Sequence, residues 1–330
     1  MKSADPPPRP PAAGHAPQPG REPSAVTPAG PPRDLRGYGP DVPRVSWPGG
    51  ARVALSVVLN WEEGSEYGLL DGDPAGEDLA EAPARVAAGT RDLAVESTYE
   101  YGSRAGVWRL ARLFDELDIP VTCFGTALAF ERHPEVAAWI RDSPHEACCH
   151  GWRWEEVWKL TREQERERIR AAVESMTRTL GERPLGWYCR YGPSVHTREL
   201  LVEEGGFVYD SDAYNDDLPY HVTVAGRRHT VVPYTLLHND LGFVTGTAYG
   251  DTESFINLLR RALDYLREEG AQRPRMMSIG LHCRWAGQPA RASALRDFLR
   301  YARAAPDVWF ARRIDIARWF DQHDGFALGS

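Results

Sequence analysis

Residues 52–59 (RVALSVVL) are apolar and β-branched almost throughout, the pattern of a parallel strand covered on both faces. Asn60, Trp61, Glu62 and Glu63 follow at once, and Gly64 ends the run, so two adjacent carboxylates leave the end of a buried strand. An irregular, Gly- and acid-rich stretch over 64–104 is too long for a simple connection and reads as an active-site loop. Regular alternation then begins. Val107, Leu110, Phe114 and Leu117 recur at helical spacing, Pro120 interrupts, and 121–125 reads as a strand. The same grammar predicts a short helix over 134–141, a strand over 146–149, a long helix over 161–180 stopped by Gly181, and a strand over 185–189. Farther on come a strand over 207–209 and a helix capped by Thr252, with the stripe Phe255, Leu258, Leu259, Ala262 and Leu266. Strands over 276–281 and 308–310 and helices over 290–304 and 314–320 complete the pattern.

Strands alternating with helices over this length imply a parallel sheet, doubly wound or closed into a barrel. No GxGxxG or GxxxxGK[ST] stands near a strand, which weakens the nucleotide-binding versions and favours a barrel-like enzyme of ~250 residues. Residues 1–33 are rich in Pro, Ala and Gly with hardly any aliphatic side chain, so they are expected to form a disordered tail ahead of a single catalytic domain over 34–330. The tail holds no apolar signal core, and no run approaches a membrane span, which points to the cytoplasm. A net charge of 39 − 47 = −8 without basic blocks argues against nucleic acid or an anionic membrane as partner and leaves small molecules or proteins. Five cysteines without a CxxC suit reduced, buried thiols.

In barrels the functional residues sit at the carboxyl ends of strands. Those ends carry Asn60, Glu62 and Glu63, then His150, Arg190, Asp210 with Asp212, and His282. For the glutamates alone the competing reading is a solvated helix N-cap, and for a lone histidine a satisfied structural one. So many titratable groups on one rim would be costly to desolvate without a purpose. The set reads as a hydrolytic site: Glu62 and His282 as acid and base, Arg190 as an oxyanion or carboxylate clamp, Asp210 and Asp212 as groups tuning the histidine.

The order of these clusters resembles the polysaccharide deacetylase (NodB-homology) family over roughly residues 45–320. Its five motifs correspond here to Asn60–Gly64, His150–Trp154, Arg190–Pro193, Asp210–Asp212 and Ile279–His282. The resemblance implies an irregular (β/α)7-type barrel. Where the family has two aspartates in its first motif this chain has Glu62 and Glu63, and Trp154 replaces the second metal histidine. Of the family's Asp-His-His metal set, Glu63 and His150 are what remains to hold a divalent ion such as zinc. Segments 99–108, 150–154, 210–220 and 280–284 are similar to the PuuE-type allantoinase branch, a cytoplasmic, metal-independent group acting in purine catabolism, whereas 190–197 (RYGPSVHT) departs from it.

That resemblance implies hydrolytic opening of a small cyclic amide such as allantoin without a cofactor, and a homo-oligomer, a tetramer being one form. Glu62 is the expected base, its pKa raised by burial; Glu63 is the alternative. His282, held by Asp210, is the expected acid, with Arg190 at the oxyanion and Asn60, His150, Trp154 and Asn215 holding the ring. Core packing is the plain alternative for Trp152, Trp154 and Trp158. Three rival functions stand beside this one: hydrolysis of another cyclic imide or hydantoin, metal-dependent N-deacetylation of an amino sugar, and a retired barrel that senses a metabolite or scaffolds an assembly.

Overall fold

The first predicted run folds as strand β1, Val53–Trp61, with all nine residues buried. In the computed structural model, which describes residues 30–78, 86–243 and 251–323, eight further strands join it. They are β2 (Thr122–Gly125), β3 (Glu146–Cys149), β4 (Gly186–Trp187), β5 (Tyr209–Asp210), β6 (Tyr220–Val224), β7 (Arg227–Val231), β8 (Arg275–His282) and β9 (Val308–Phe310). Of the stretch expected as a tail, residues 1–29 lie outside the described residues; the elements named here fall in the unit that starts at Arg33.

The strand order is β6-β7-β5-β4-β3-β2-β1-β8, and every pairing is parallel except the β6/β7 hairpin. β8 runs beside β1 for eight residue pairs, Val53 with Arg275 through Asn60 with His282. The other edge of β1 is shared, β9 pairing with its first residues and β2 with its last. The sheet curls into the irregular barrel that the family resemblance implies.

Parity along β1 divides the core. Val53, Leu55, Val57, Leu59 and Trp61 pack outward against the helices, with Leu110, Phe114, Leu259 and Phe298 among their cluster. Ala54 and Val58 face inward, where they meet Phe124, Tyr188, Tyr209 and Tyr234. The barrel interior also holds a fully buried cation: Arg313 donates to Ser211 Oγ and Ser278 Oγ at 2.8 Å and to the carbonyls of Val232 and Pro233.

Several regions depart from the predicted pattern, among them the short helices Ala127–Arg132 and Thr197–Glu204, which no sequence signal announced. Within the supposed irregular stretch, Leu93–Tyr101 is helical and runs through one wide turn, Gly102–Gly106, into the helix Val107–Glu116. Only Val95 and Tyr99 of the first segment are buried, so it carries no stripe that periodicity could detect. The β6/β7 hairpin was not foreseen either; its turn, Ala225 and Gly226, has φ of 49° and 75°, and His229 and Val231 reach the interior. All five cysteines are free and buried, as expected.

Candidate active site

Glu62 continues the inward parity of β1, and Glu63 turns the other way. As a result Glu62 Oε1 faces two histidines, with His150 Nε2 at 3.4 Å and His282 Nε2 at 3.6 Å. Glu63 instead accepts the backbone N–H of Glu62 at 3.1 Å and of Arg284 at 3.2 Å. Both residues are at most 1% exposed.

Each histidine is oriented through its far nitrogen. His150 Nδ1–H donates to the Tyr188 carbonyl at 2.9 Å, and its ring stacks on Tyr188. His282 Nδ1–H donates to Asp240 Oδ1 at 2.6 Å, while the His282 backbone N–H donates to the other oxygen of Asp240 at 2.8 Å. A carboxylate can only accept, so Nε2 of His282 is the nitrogen turned toward Glu62.

The charges bias this pair strongly. Burial pushes the Glu62 carboxyl up, but Arg284 and His282 outweigh it and hold it well below the usual carboxylate range. Burial alone would likewise lower His282; Glu62 and Asp240 prevail and push it up to about 9. At neutral pH the site therefore holds an ionised Glu62 opposite a protonated His282. Glu63 goes the other way, raised by burial and by Glu62 against the pull of Arg284.

A strap over residues 64–78 is tied to the connections that follow β2, β3 and β4. Asp71 pairs with Arg132, Asp73 with Arg153 at 2.7 Å, and Glu77 with Arg190 at 2.8 Å, so three acids in order along the strap meet arginines from three successive connections. Trp154 donates its backbone N–H to Ser65 O, and its ring lies 3.6 Å from the Arg190 guanidinium carbon.

The polysaccharide deacetylase model matches residues 87–209. A Schizosaccharomyces pombe protein assigned to the polysaccharide deacetylases is 34% identical over 316 residues, covering 88% of this chain and 98% of its own length. The chain belongs to the polysaccharide deacetylase family. Among solved structures, PuuE allantoinase is 47% identical with a TM-score of 0.85, covering 88% of this chain and 97% of that one. A Pseudomonas aeruginosa PAO1 protein described as a polysaccharide deacetylase is 48% identical, also with a TM-score of 0.85, covering 88% of this chain and 98% of that one. The molecule is thus a hydrolase acting on carbon–nitrogen bonds.

Within this family member the structure brings Glu62, Glu63, His150 and His282 together and rearranges the rest. Asp210 does not hold His282: it is engaged by Arg198 at 2.7 and 2.9 Å and by His229 at 2.8 Å, on the far side of β4 from β1. Asp240 instead holds His282, the place expected of Asp210. Nor is Arg190 a free clamp, because Glu77 meets it with both oxygens and the Trp154 carbonyl takes a further N–H. The raised pKa expected for Glu62 belongs to Glu63, since Arg284 stands nearer Glu62. Asn60 spends its amide on Tyr234 Oη and the Leu281 carbonyl, which braces β1 against β8. Asn215 is exposed and accepts from Tyr220 Oη, apart from the cluster.

Three participants escaped the sequence reading. Glu77 lies in the aperiodic strap. Asp240 follows no strand, being held near β8 by the isolated bridge between Asn239 and Gly280. Arg284 alone carried a signal, two residues past His282 in a segment similar to the allantoinase branch. The donor set also bears on a metal. Among the described residues no three His, Cys, Asp or Glu side chains are arranged to hold an ion. Glu63 and His150 do not face one another, Trp154 has no lone pair to offer, and a guanidinium lies beside both carboxylates. These residues do not fit the family's metal.

Proposed function

We propose that this protein opens the ring of a small cyclic amide, most simply allantoin to allantoate, without a metal. The observation that carries the reading is the Glu62/His282 pair, held in the protonation states that amide hydrolysis requires, beside a donor set that does not suit a divalent ion. The 47% identity to PuuE allantoinase over nearly all of both chains supports the same substrate class.

In this reaction Glu62 takes a proton from water, and the water oxygen bonds to a ring carbonyl carbon. The tetrahedral centre then collapses, the ring C–N bond breaks, and His282 delivers its Nε2 proton to the departing nitrogen. Asp240 keeps that imidazole in the tautomer and orientation the transfer needs. With Glu62 and Trp154 almost fully buried, substrate enters only when the strap shifts, and strap closure then excludes water beyond the one consumed. The reading includes a cytoplasmic homo-oligomer acting in purine catabolism; among the described residues no helix is long and apolar enough to cross a membrane.

The test is allantoate formation from allantoin by purified protein, before and after exhaustive chelation. Turnover that survives the chelator supports the reading. Absence of turnover transfers the assignment to another cyclic imide or hydantoin, and activity lost to chelator and restored by a divalent ion removes the metal-free mechanism.

A further inference from the structure

Tyr188, Tyr209 and Tyr234 are the buried tyrosines of the inward cluster, and two of them spend their hydroxyl protons on the protein. Tyr209 donates to Glu146 Oε1 at 2.8 Å. Tyr214 donates to the Tyr191 carbonyl at 3.0 Å, so in the 2.7 Å contact between Tyr188 Oη and Tyr214 Oη it is Tyr188 that donates. Tyr234 differs. The Asn60 amide nitrogen donates to its Oη at 3.3 Å, and that nitrogen is identified by its second bond, to the Leu281 carbonyl, which can only accept. Asn239 donates to the same Oη at 3.4 Å, its amide oriented by the Leu241 N–H on Oδ1.

With two N–H groups on its oxygen, both acceptor positions of Tyr234 are filled, and among the described residues no acceptor takes its own proton. Burial pushes the phenol up, so that proton stays in place across the working pH range. The hydroxyl lies at the floor of the site. It fills the space left by Gly280, where a Cβ would stand 2.3 Å from Oη. Gly280 precedes His282 by two residues on the inward face of β8, Asn60 precedes Glu62 by two on that of β1, and Asn60 pairs with His282. Two residues of strand rise are roughly 7 Å, so the hydroxyl stands one step beneath Glu62 and His282, with room for a carbonyl group between. Tyr234 and His282 each keep 5% of their surface accessible.

We infer that the Tyr234 hydroxyl is a catalytic hydrogen-bond donor, which receives the carbonyl oxygen of the ring amide as that oxygen becomes an oxyanion. The proposed reaction leaves this oxygen without a donor once Arg190 is committed to Glu77 and the Trp154 carbonyl. Tyr234 supplies one from a neutral group whose direction is set before substrate arrives. The proton stays on Oη throughout, and no bond to Tyr234 forms or breaks. Two N–H groups donating into Oη polarise its O–H and strengthen the donation. Asn60 and Asn239 are accordingly positioning residues that act through Tyr234. The inference rests on the proposed function for a cyclic amide as substrate, and not on allantoin in particular.

The experiment compares allantoin and hydantoin with analogues carrying sulfur in place of the attacked carbonyl oxygen, because sulfur is a weak hydrogen-bond acceptor. The readout is the oxo-to-thio ratio of kcat. In Tyr234→Phe, kcat on the oxo substrate is expected to fall on the order of 100-fold with KM little changed, and the ratio falls with it, since the thio substrate has little to lose. A purely structural role for the hydroxyl would lower both rates alike and keep the ratio. Tyr188→Phe removes a hydroxyl whose proton the protein already uses, and its ratio is expected to match wild type. Should Tyr234→Phe fail to fold, a ring-fluorinated tyrosine at position 234 keeps the hydroxyl, makes it a stronger donor and is expected to raise the ratio. An unchanged ratio in folded Tyr234→Phe or in the fluorinated protein overturns the inference. Turnover of hydantoin without allantoin removes the allantoin assignment alone, the ratio then being read on hydantoin, and a wild type that opens no cyclic amide overturns both.

Discussion

Asp240 grips His282 twice, at Nδ1 and at the backbone N–H, through its two carboxylate oxygens. The second contact ties the carboxylate to the strand itself, so imidazole and partner move as one unit. Asp240→Asn keeps the shape and loses the charge. Charge-assisted hydrogen bonds are worth about 1.5–3 kcal/mol, so kcat is expected to fall roughly 10- to 100-fold. The alkaline limb of the rate profile, set by His282 near 9, should move to lower pH. An unchanged limb, measured as kcat/KM between pH 7 and 10, would contradict the assignment.

Wild type has its own expected profile. The proposed reaction requires Glu62 ionised and His282 protonated, a combination that persists from well below the ordinary carboxylate range up to about 9. The rate should be flat across neutrality, decline above about pH 9 as His282 loses its proton, and on the acid side hold until Glu62 is protonated, well below the ordinary carboxylate range. An acid limb above the ordinary carboxylate range would mean that the base is the raised carboxylate, Glu63.

The strap offers a test of closure. Glu77 and Arg190 form a pair with side chains only 7% and 4% exposed. Removing one partner of a buried ion pair costs about 3–5 kcal/mol, because the other is left uncompensated. Glu77→Ala should therefore lower the thermal midpoint. The double variant Glu77→Leu/Arg190→Met should recover much of the loss, which differential scanning calorimetry would show.

A fourth prediction concerns the wide turn. An added Cβ at Gly102 would stand 2.3 Å from Glu63 Oε1, and one at Gly106 would strike the Cys283 carbonyl. Gly102→Ala is expected to reduce kcat by displacing Glu63, whereas Gly106→Ala should destabilise the fold by about 1–3 kcal/mol, the usual cost of overpacking. Denaturation and steady-state kinetics on the two variants separate these effects.

What was legible in the sequence was whatever repeats. β1, the outward stripes of the helices and the strand-end residues Glu62, His150 and His282 all follow from period and position. The partners of those residues were not, since a hydrogen bond between Asp240 and His282 spans 42 residues and leaves no local pattern. Asp210 was assigned that role because it stands at a strand end, yet β5 lies four places from β1 in the sheet. Helix Leu93–Tyr101 was missed because it presents two buried side chains and no stripe.

The eight matched pairs between β1 and β8 have one more implication. They place Glu62 just beyond the end of one strand and His282 on the last residue of its neighbour, at opposite ends of no flexible connection. A slip of one residue would turn Glu62 out of the barrel, so the spacing of Glu62 and His282 is as durable as the sheet.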